Sequence, residues 1–194
     1  METNKALVLW GGTDINAKYY GQKPSIHADR SNFNRDRIEF EKAANAINNN
    51  TPIVGVCRGA QLLCIINGGS LYQHSEAEQQ DHDIIAKAIG SDDITITLPQ
   101  VSAAHHQIMR PEGNFEIIGW HPLPVKVFDT DTEWHMEDKT PEIVWWPNTK
   151  CLGIQAHPEW AHPDSQFLMY TNALLDYLNI NCFFDNRSAK HWEF

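Results

Sequence analysis

"TPIVGVCRGAQLL", residues 51–63, is the stretch on which the reading of this chain turns. A short apolar run, "PIVGV", leads into Cys57, and Gly55 and Gly59 stand two residues to either side of it. The residues beyond, "RGAQLLCIINGG", can continue as a helix closed by Asn67 and the Gly68–Gly69 pair. A strand that turns sharply into a helix crowds its own backbone, so small residues are required on both sides of the exposed residue. Gly55-x-Cys57-x-Gly59 is the cysteine form of that nucleophile elbow. The turn aims the sulfur at the C-terminal end of a sheet, where open α/β folds bind ligands. The backbone N–H groups and positive end of the following helix favour thiolate over thiol. Arg58 adds positive charge next door, and its backbone N–H is placed to serve as an oxyanion donor. The pattern is short, however, and a buried packing cysteine between two coincidental glycines would look the same. Chemistry at Cys57 therefore requires a base elsewhere.

"GIQAHPEW" supplies one. His157 and Glu159 stand two residues apart at the end of a strand-like run. Residues so spaced on a strand point to the same side, so the carboxylate can sit behind the imidazole and fix its tautomer. Cys57, His157 and Glu159 then have the roles of nucleophile, base and orienting group.

The rest of the pattern sets the architecture. "KALVLWGG" reads as a buried strand stopped by glycines, and "RDRIEFEKAANAINNN" places Phe40, Ala43, Ala44 and Ile47 on one helix face. Strand–helix–strand–helix order implies a parallel sheet covered by helices on its faces. The second half changes character: "ITITL", "FEIIGW", "VKVFD", "EIVWW" and "CLGIQAH" follow one another too closely for intervening helices. They read as an antiparallel meander or sheet extension. "DSQFLMYTNALLDYL" closes the pattern as an amphipathic helix with Phe167, Leu174, Leu175 and Leu178 on one face, capped by Asp164 or Ser165. The expected fold class is α/β: a three-layer sandwich with a mainly parallel central sheet flanked by helices, plus an antiparallel strand extension. Residues 1–194 read as one catalytic domain, with an aromatic but unpatterned tail over 181–194.

Composition narrows the function. Fifteen basic residues against 25 acidic give a net charge of −10, without the basic footprint of a nucleic-acid binder. No apolar stretch approaches the roughly 20 residues needed to cross a bilayer. The N-terminal residues lack a secretory signal's basic start and cleavage site, so the expected location is cytoplasmic. Four cysteines without a C-x-x-C pair read as reduced thiols. Ten histidines invite a metal site, but no H-x-x-x-H spacing supports zinc. His105 and His106 are adjacent and would point to opposite faces of a strand, so no metal is expected.

With these motifs in place, the chain resembles the class I glutamine amidotransferases, and most closely their γ-glutamyl hydrolase (peptidase C26-like) branch. The resemblance runs from about residue 6 to residue 178. Cys57, His157 and Glu159 fall on the family's catalytic triad, within "GVCRGAQ" and "QAHPEW". Gln61 matches the glutamine that helps hold the γ-glutamyl portion of the substrate. "LWGGTDINAKYYGQKP" is similar to the branch's Gly-Gly-x-Asp segment, which implies that Gly11 and Gly12 complete the oxyanion hole begun by Arg58. "NFNRDRIEFE", with Arg35, Asp36 and Glu39, matches the branch's Arg-Asp-x-x-Glu helix start. "VSAAHHQ" resembles Val-Asn-Ser-x-His-His-Gln and implies that His106 and Gln107 lie at the pocket rim. Ser102, Ala103 and Ala17 depart from the branch pattern and leave the triad untouched.

The resemblance implies the flavodoxin-like class I amidotransferase fold and a cysteine-dependent amidohydrolase that needs no cofactor. Its substrate would be glutamine or a γ-glutamyl compound, cleaved at the side-chain γ-amide through a γ-glutamyl thioester. The alternative is a glutaminase subunit delivering ammonia to a separate synthetase partner in nucleotide or modified-base biosynthesis; a homo-oligomer is also open. Residues 121–141 are an acid-rich insertion relative to the family, with Trp134 and His135 near its middle. It reads either as a solvated hairpin or as a substrate lid or partner-docking element.

Overall fold

The computed structural model of the chain describes residues 5–75, 80–129, 132–136 and 139–185. In its first half the elements are β1 (Leu7–Leu9), α1 (Phe33–Asn48), β2 (Ile53–Val56), α2 (Arg58–Ile66), β3 (Ser70–Tyr72), β4 (His74–Ser75) and β5 (His82–Lys87). There follow β6 (Thr95–Val101), β7 (Ile108–Arg110), β8 (Glu116–His121), β9 (Val125–Asp129), β10 (Thr132–Met136), β11 (Thr140–Trp146), β12 (Cys151–Ile154) and α3 (Gln166–Tyr177). Single 3-10 turns occupy Ala17–Tyr20 and Pro158–Trp160.

All four residues of β2 are buried, because this strand is covered on both faces. It lies between β1 and β12, parallel to each, in a seven-stranded sheet of order β1-β2-β12-β11-β8-β5-β6. Beyond β12 every pairing is antiparallel. The sheet thus has the expected parallel part, bearing the elbow, and an antiparallel extension of four strands. Alternation along the strands feeds two cores. Val54, Val56, Leu152 and Ile154 pack with Phe167, Leu174 and Leu175 of α3 on one face. Ile53 and Cys151 pack on the other face with Ala43 of α1 and Leu62 and Leu63 of α2. That distribution is a three-layer arrangement.

Helix ends follow the local chemistry. Asn32 caps α1 by accepting the Arg35 N–H at 3.1 Å, so the helix begins at Phe33, two residues ahead of the expected start. Ser165, rather than Asp164, caps α3 through the Leu168 N–H at 3.1 Å. No described helix is long and apolar enough to cross a membrane.

Two expectations change. "VKVFD" does not extend the main sheet: as β9 it pairs with β4 and β10 in a separate three-stranded sheet. Val125 and Val127 alternate inward onto Ile108 and Tyr72, a small core that the main sheet does not share. The 121–141 insertion is therefore anchored through β9 and is not simply a solvated hairpin. The side chains of Trp134 and His135 lie outside the described residues. The tail, as far as it is described, is structural: Asn181 bridges Lys5, and buried Phe184 sets its ring edge-on to Trp10 with centroids 5.9 Å apart.

The elbow depends on backbone proximity. A Cβ on Gly55 would lie 2.4 Å from the Gly59 carbonyl oxygen, and one on Gly59 would lie 2.1 Å from the Leu9 carbonyl oxygen. In an ordinary helix, glycine to alanine stabilises by roughly 0.5–1 kcal/mol. Gly59→Ala reverses that sign here, because the clash is with the backbone of β1 and no flexible side chain can yield. Chemical denaturation is expected to show a loss of about 2–4 kcal/mol, in the range of core overpacking and strain. An unchanged or raised midpoint would contradict the packing described.

Candidate active site

Cys57 sits between β2 and α2 with φ +52° and ψ −112°, a conformation that L-residues adopt only under constraint. Its N–H donates to the Ile154 carbonyl at 2.8 Å, which locks the elbow to β12. The next residue, Arg58, opens the helix, so its N–H has no carbonyl within the helix to bond. The Arg58 side chain corrects one expectation. It is buried, and its guanidinium pairs with Asp36 and Glu39 of α1. Its charge is committed to those carboxylates and does not serve the thiol.

β12 carries the chain toward His157, whose N–H donates to the Ser102 carbonyl at 2.7 Å. His157 Nδ1 donates to Glu159 Oε1 at 2.8 Å, and both side chains are buried. The Cys57 side chain hydrogen-bonds the same imidazole. Burial works to lower the His157 pKa, but the hydrogen bonds and charges of Cys57 and Glu159 outweigh it and lift the value to about 9. On one ring face lies Trp160, stacked with centroids 3.5 Å apart and planes 4° from parallel. The structure thus brings Cys57, His157 and Glu159 together, with His157 between the other two.

Gly11 lies directly against this group. A Cβ there would be 2.8 Å from His157 Cε1 and 3.4 Å from Cys57 Cβ. Arg35 grips the loop, its Nη2 donating to the Gly11 carbonyl at 2.8 Å, and its Nε pairs with Glu39 Oε1 at 2.9 Å. In a trans peptide the carbonyl and the following N–H point oppositely, so this grip turns the Gly12 N–H away from Arg35. Gly12 has φ +148°, and a Cβ on it would meet Arg35 Nη1 at 2.1 Å.

The remaining residues expected at the site form a connected rim. Gln61 is buried and donates through Nε2 to the Gln107 carbonyl at 3.2 Å. Gln107 Nε2 donates to Asp14 Oδ2 at 3.1 Å, and His106 Nε2 donates to Asp14 Oδ1 at 3.0 Å. The Asp14 bond raises the His106 pKa against the opposing effect of burial. Asp14 also accepts the Asp29 N–H at 2.7 Å. His27, Asp29, His74, Ala104, His105 and His106 line a cavity of about 360 Å³ beside this hub. Phe128 of β9 stands at its edge, 5.6 Å from the His27 ring and 5.7 Å from that of His74.

His105 and His106 do point apart. His106 joins Asp14 and Asp29, whereas His105 joins His82 and Glu142 in the interior, and in each group the potential ligand atoms lie within 4.8 Å of one another. Burial lowers the His105 pKa to about 3. Burial also pushes the thiols of Cys64, Cys151 and Cys182 up, which makes them poor nucleophiles.

Sequence reasoning missed Asp14 as the rim's hub, Arg35 as the clamp on the glycine loop, and Trp160 as the stacking partner of His157. Asp14 and Trp160 stood inside quoted motifs, within three residues of a named site residue. Nothing local showed which of them would turn inward.

The profile of the Peptidase C26 family matches residues 1–159. The glutamine amidotransferase-like protein YvdE of Lactococcus lactis subsp. lactis is 28% identical, over 79% of this chain and 65% of that protein. Its homologue in subsp. cremoris is 32% identical, over 58% of this chain and 55% of that protein. The chain therefore spans less than two thirds of the length of either relative. A solved structure from Thermoplasma acidophilum, described as one of the chains of a GMP synthase, is 17% identical with a TM-score of 0.54. That likeness covers 91% of this chain and 72% of the other, and it speaks for the fold alone. With the profile extending over most of its length, this chain belongs to the Peptidase C26 family.

Proposed function

We infer that the protein is a cysteine-dependent amidohydrolase acting on the side-chain γ-amide of glutamine or a γ-glutamyl compound. The observation that carries this reading is a cysteine held at φ +52° on a strand-to-helix elbow and bonded to a histidine that is itself fixed by a buried glutamate. Membership of the Peptidase C26 family and likeness to proteins named for glutamine amidotransferases support it.

Cys57 Sγ attacks the amide carbonyl carbon while His157 takes, or already holds, the thiol proton. The oxyanion accepts hydrogen bonds from the Arg58 N–H and the Gly11–Gly12 loop, where each donor of this kind is worth about 10²–10³ in rate. Collapse breaks the C–N bond as His157 Nε2 gives its proton to the departing amine. Water then attacks the thioester, with His157 accepting its proton and returning it to sulfur, and glutamate leaves. Glu159 keeps Nδ1 protonated throughout, so that Nε2 is the nitrogen that exchanges protons. No cofactor enters the cycle.

The first reading, a free-standing γ-glutamyl hydrolase, assigns a leaving amine larger than ammonia to the cavity of about 360 Å³ beside Asp14. The second reading, a glutaminase that hands ammonia to a synthetase, draws on relatives named for amidotransferases. The deciding assay incubates the protein with glutamine and with a panel of γ-glutamyl amines, following release of ammonia or amine. Release from the panel by the chain alone is expected, and Cys57→Ala abolishes it. Undiminished release by Cys57→Ala would overturn the mechanism, and release from glutamine only in the presence of an ATP-using partner would select the second reading.

The pH dependence tests the pair behind the sulfur. His157 is the proton donor to the amine, so activity is held up to its raised pKa of about 9 and falls above it. Glu159→Gln removes one of the two interactions that raise that value. The alkaline limb of the rate profile then moves toward neutrality, and kcat falls by about 10²–10⁴-fold. Stability follows the same sign. Because the folded pKa lies above the ordinary 6.5, the His157 contribution is complete below pH 6.5 and fades as pH rises through about 9. An alkaline limb unmoved by Glu159→Gln would remove Glu159 from this role.

A further inference from the structure

We propose that His82 Nε2, His105 Nε2 and a carboxylate oxygen of Glu142 form a binding site for one divalent transition-metal ion of the zinc type, which ties the 102–107 loop to the antiparallel half of the sheet. The site uses none of the three residues inferred for the sulfur chemistry and does not depend on the reaction inferred for Cys57.

Three distant segments converge there. His82 opens β5, His105 lies in the loop after β6, and Glu142 is in β11. The three side chains are 10%, 1% and 1% exposed. Glu142 Oε1 is 3.5 Å from His82 Nε2 and 3.7 Å from His105 Nε2. Two donors at about 2.0–2.1 Å from a zinc ion, subtending a tetrahedral angle, are about 3.3–3.4 Å apart. The two histidine–carboxylate separations therefore need only a slight contraction to close on an ion, and the three donor atoms all lie within 4.8 Å of one another.

The far side of each imidazole is arranged as metal-binding histidines require. His82 Nδ1 is 2.9 Å from the Gln80 carbonyl oxygen, and His105 Nδ1 is 3.2 Å from the Gln107 carbonyl oxygen. A carbonyl can only accept, so both Nδ1 atoms carry the proton and both neutral rings present an Nε2 lone pair toward the carboxylate. Two lone pairs and a carboxylate oxygen, all within 4.8 Å of one another, are the donor types that a zinc-type cation takes. A fourth group stands nearby on the sheet. The Gln155 N–H donates to the Glu142 carbonyl at 2.8 Å, which makes these residues opposite partners on antiparallel strands with side chains on one face. The Gln155 side chain is fully buried, and neither its oxygen nor its nitrogen has a described partner. It can supply a fourth oxygen or hold a metal-bound water.

Two imidazoles and a carboxylate suit zinc and its first-row neighbours, whereas calcium and magnesium select all-oxygen sites. The consequence is local order. The Gln107 carbonyl that orients His105 also accepts from Gln61, so an ion at this site steadies the rim of the cavity from beneath. Sequence spacing could not reveal the site, because its ligands are separated by 23 and 37 positions, from 82 to 105 and from 105 to 142.

The test uses the full chain without an affinity tag, freed of metal by chelator dialysis and titrated with Co²⁺. One equivalent is expected to bind with the intense visible absorption of low-coordinate Co²⁺, to be displaced by Zn²⁺, and to raise the melting temperature. His82→Gln, at the most exposed of the ligands, is expected to weaken binding by more than about 100-fold, and Glu142→Gln to do the same where it folds. Asp29→Asn, in the neighbouring Asp14–Asp29–His106 group, should leave the spectrum intact. Absence of both absorption and thermal shift in the unaltered chain overturns the proposal and leaves the cluster as a proton-bridged ion pair. A spectrum that survives His82→Gln but is lost in Asp29→Asn overturns it in favour of the rim.

Discussion

The closeness of three backbones governs this molecule. α2 approaches β1 and β2 so nearly that neither Gly55 nor Gly59 has room for a Cβ. That contact forces the chain through a reversal at one residue, and the residue in the reversal is Cys57, at positive φ. Its strain is held by what surrounds it: the Ile154 carbonyl on the Cys57 N–H, and parallel strands paired to β2 on both sides. The place of the sulfur at the strand end and of the N–H beside it follows from a packing distance between main-chain atoms.

A buried electrostatic link extends that constraint to the second wall of the site. Arg58 does not stay beside the sulfur as a spectator charge; it reaches into the interior to Asp36 and Glu39 and so fixes α2 to α1. Glu39 also holds Arg35, and Arg35 holds the Gly11 carbonyl. A guanidinium in the interior is tolerable only with its carboxylates in place, and removing one partner of such a pair typically costs about 3–5 kcal/mol. The glycine loop that lies against His157 is thus positioned from two turns of α1, without a direct contact between α1 and the imidazole being required.

How much of this could be read beforehand depended on sequence distance. The elbow is a contiguous stretch with its constraint written two residues either side of Cys57, and the His157–Glu159 pairing shows in their i, i+2 spacing, although β12 has ended at Ile154 and Glu159 sits in the 3-10 turn Pro158–Trp160 and not on the strand expected there. Both were legible. The parallel strands were legible as well, being apolar runs before glycines. Arg58 was misread because adjacency in sequence says nothing about where a long side chain ends, and its partners lie 19 and 22 residues away. β4 spans only His74–Ser75 and has no period of its own, so its pairing with β9 was invisible. The same holds for Asp14, whose importance arises from His106 and Gln107, more than 90 positions along the chain. The fold was readable where local pattern met steric necessity, and the rim was not, because it is built from long-range polar pairing.

The two sides of the site are consequently built on different physics. The sulfur side rests on close-packed backbone and tolerates almost no variation. The cavity side is a polar hub, Asp14, surrounded by histidines and bordered by Phe128 from an inserted hairpin. Polar contacts of this kind can be exchanged one at a time without moving the sheet, and a hairpin anchored by Val125 and Val127 can change its outward face freely. Ser102 and Ala103, where the resemblance leads one to expect asparagine and serine, lie in the loop that leads to this side, and Ser102 reaches the other side only through its main-chain carbonyl on His157. The elbow at Cys57 is therefore sterically fixed, while the polar rim is open to change. A fold divided in this way can vary its rim by substitutions that never touch the elbow.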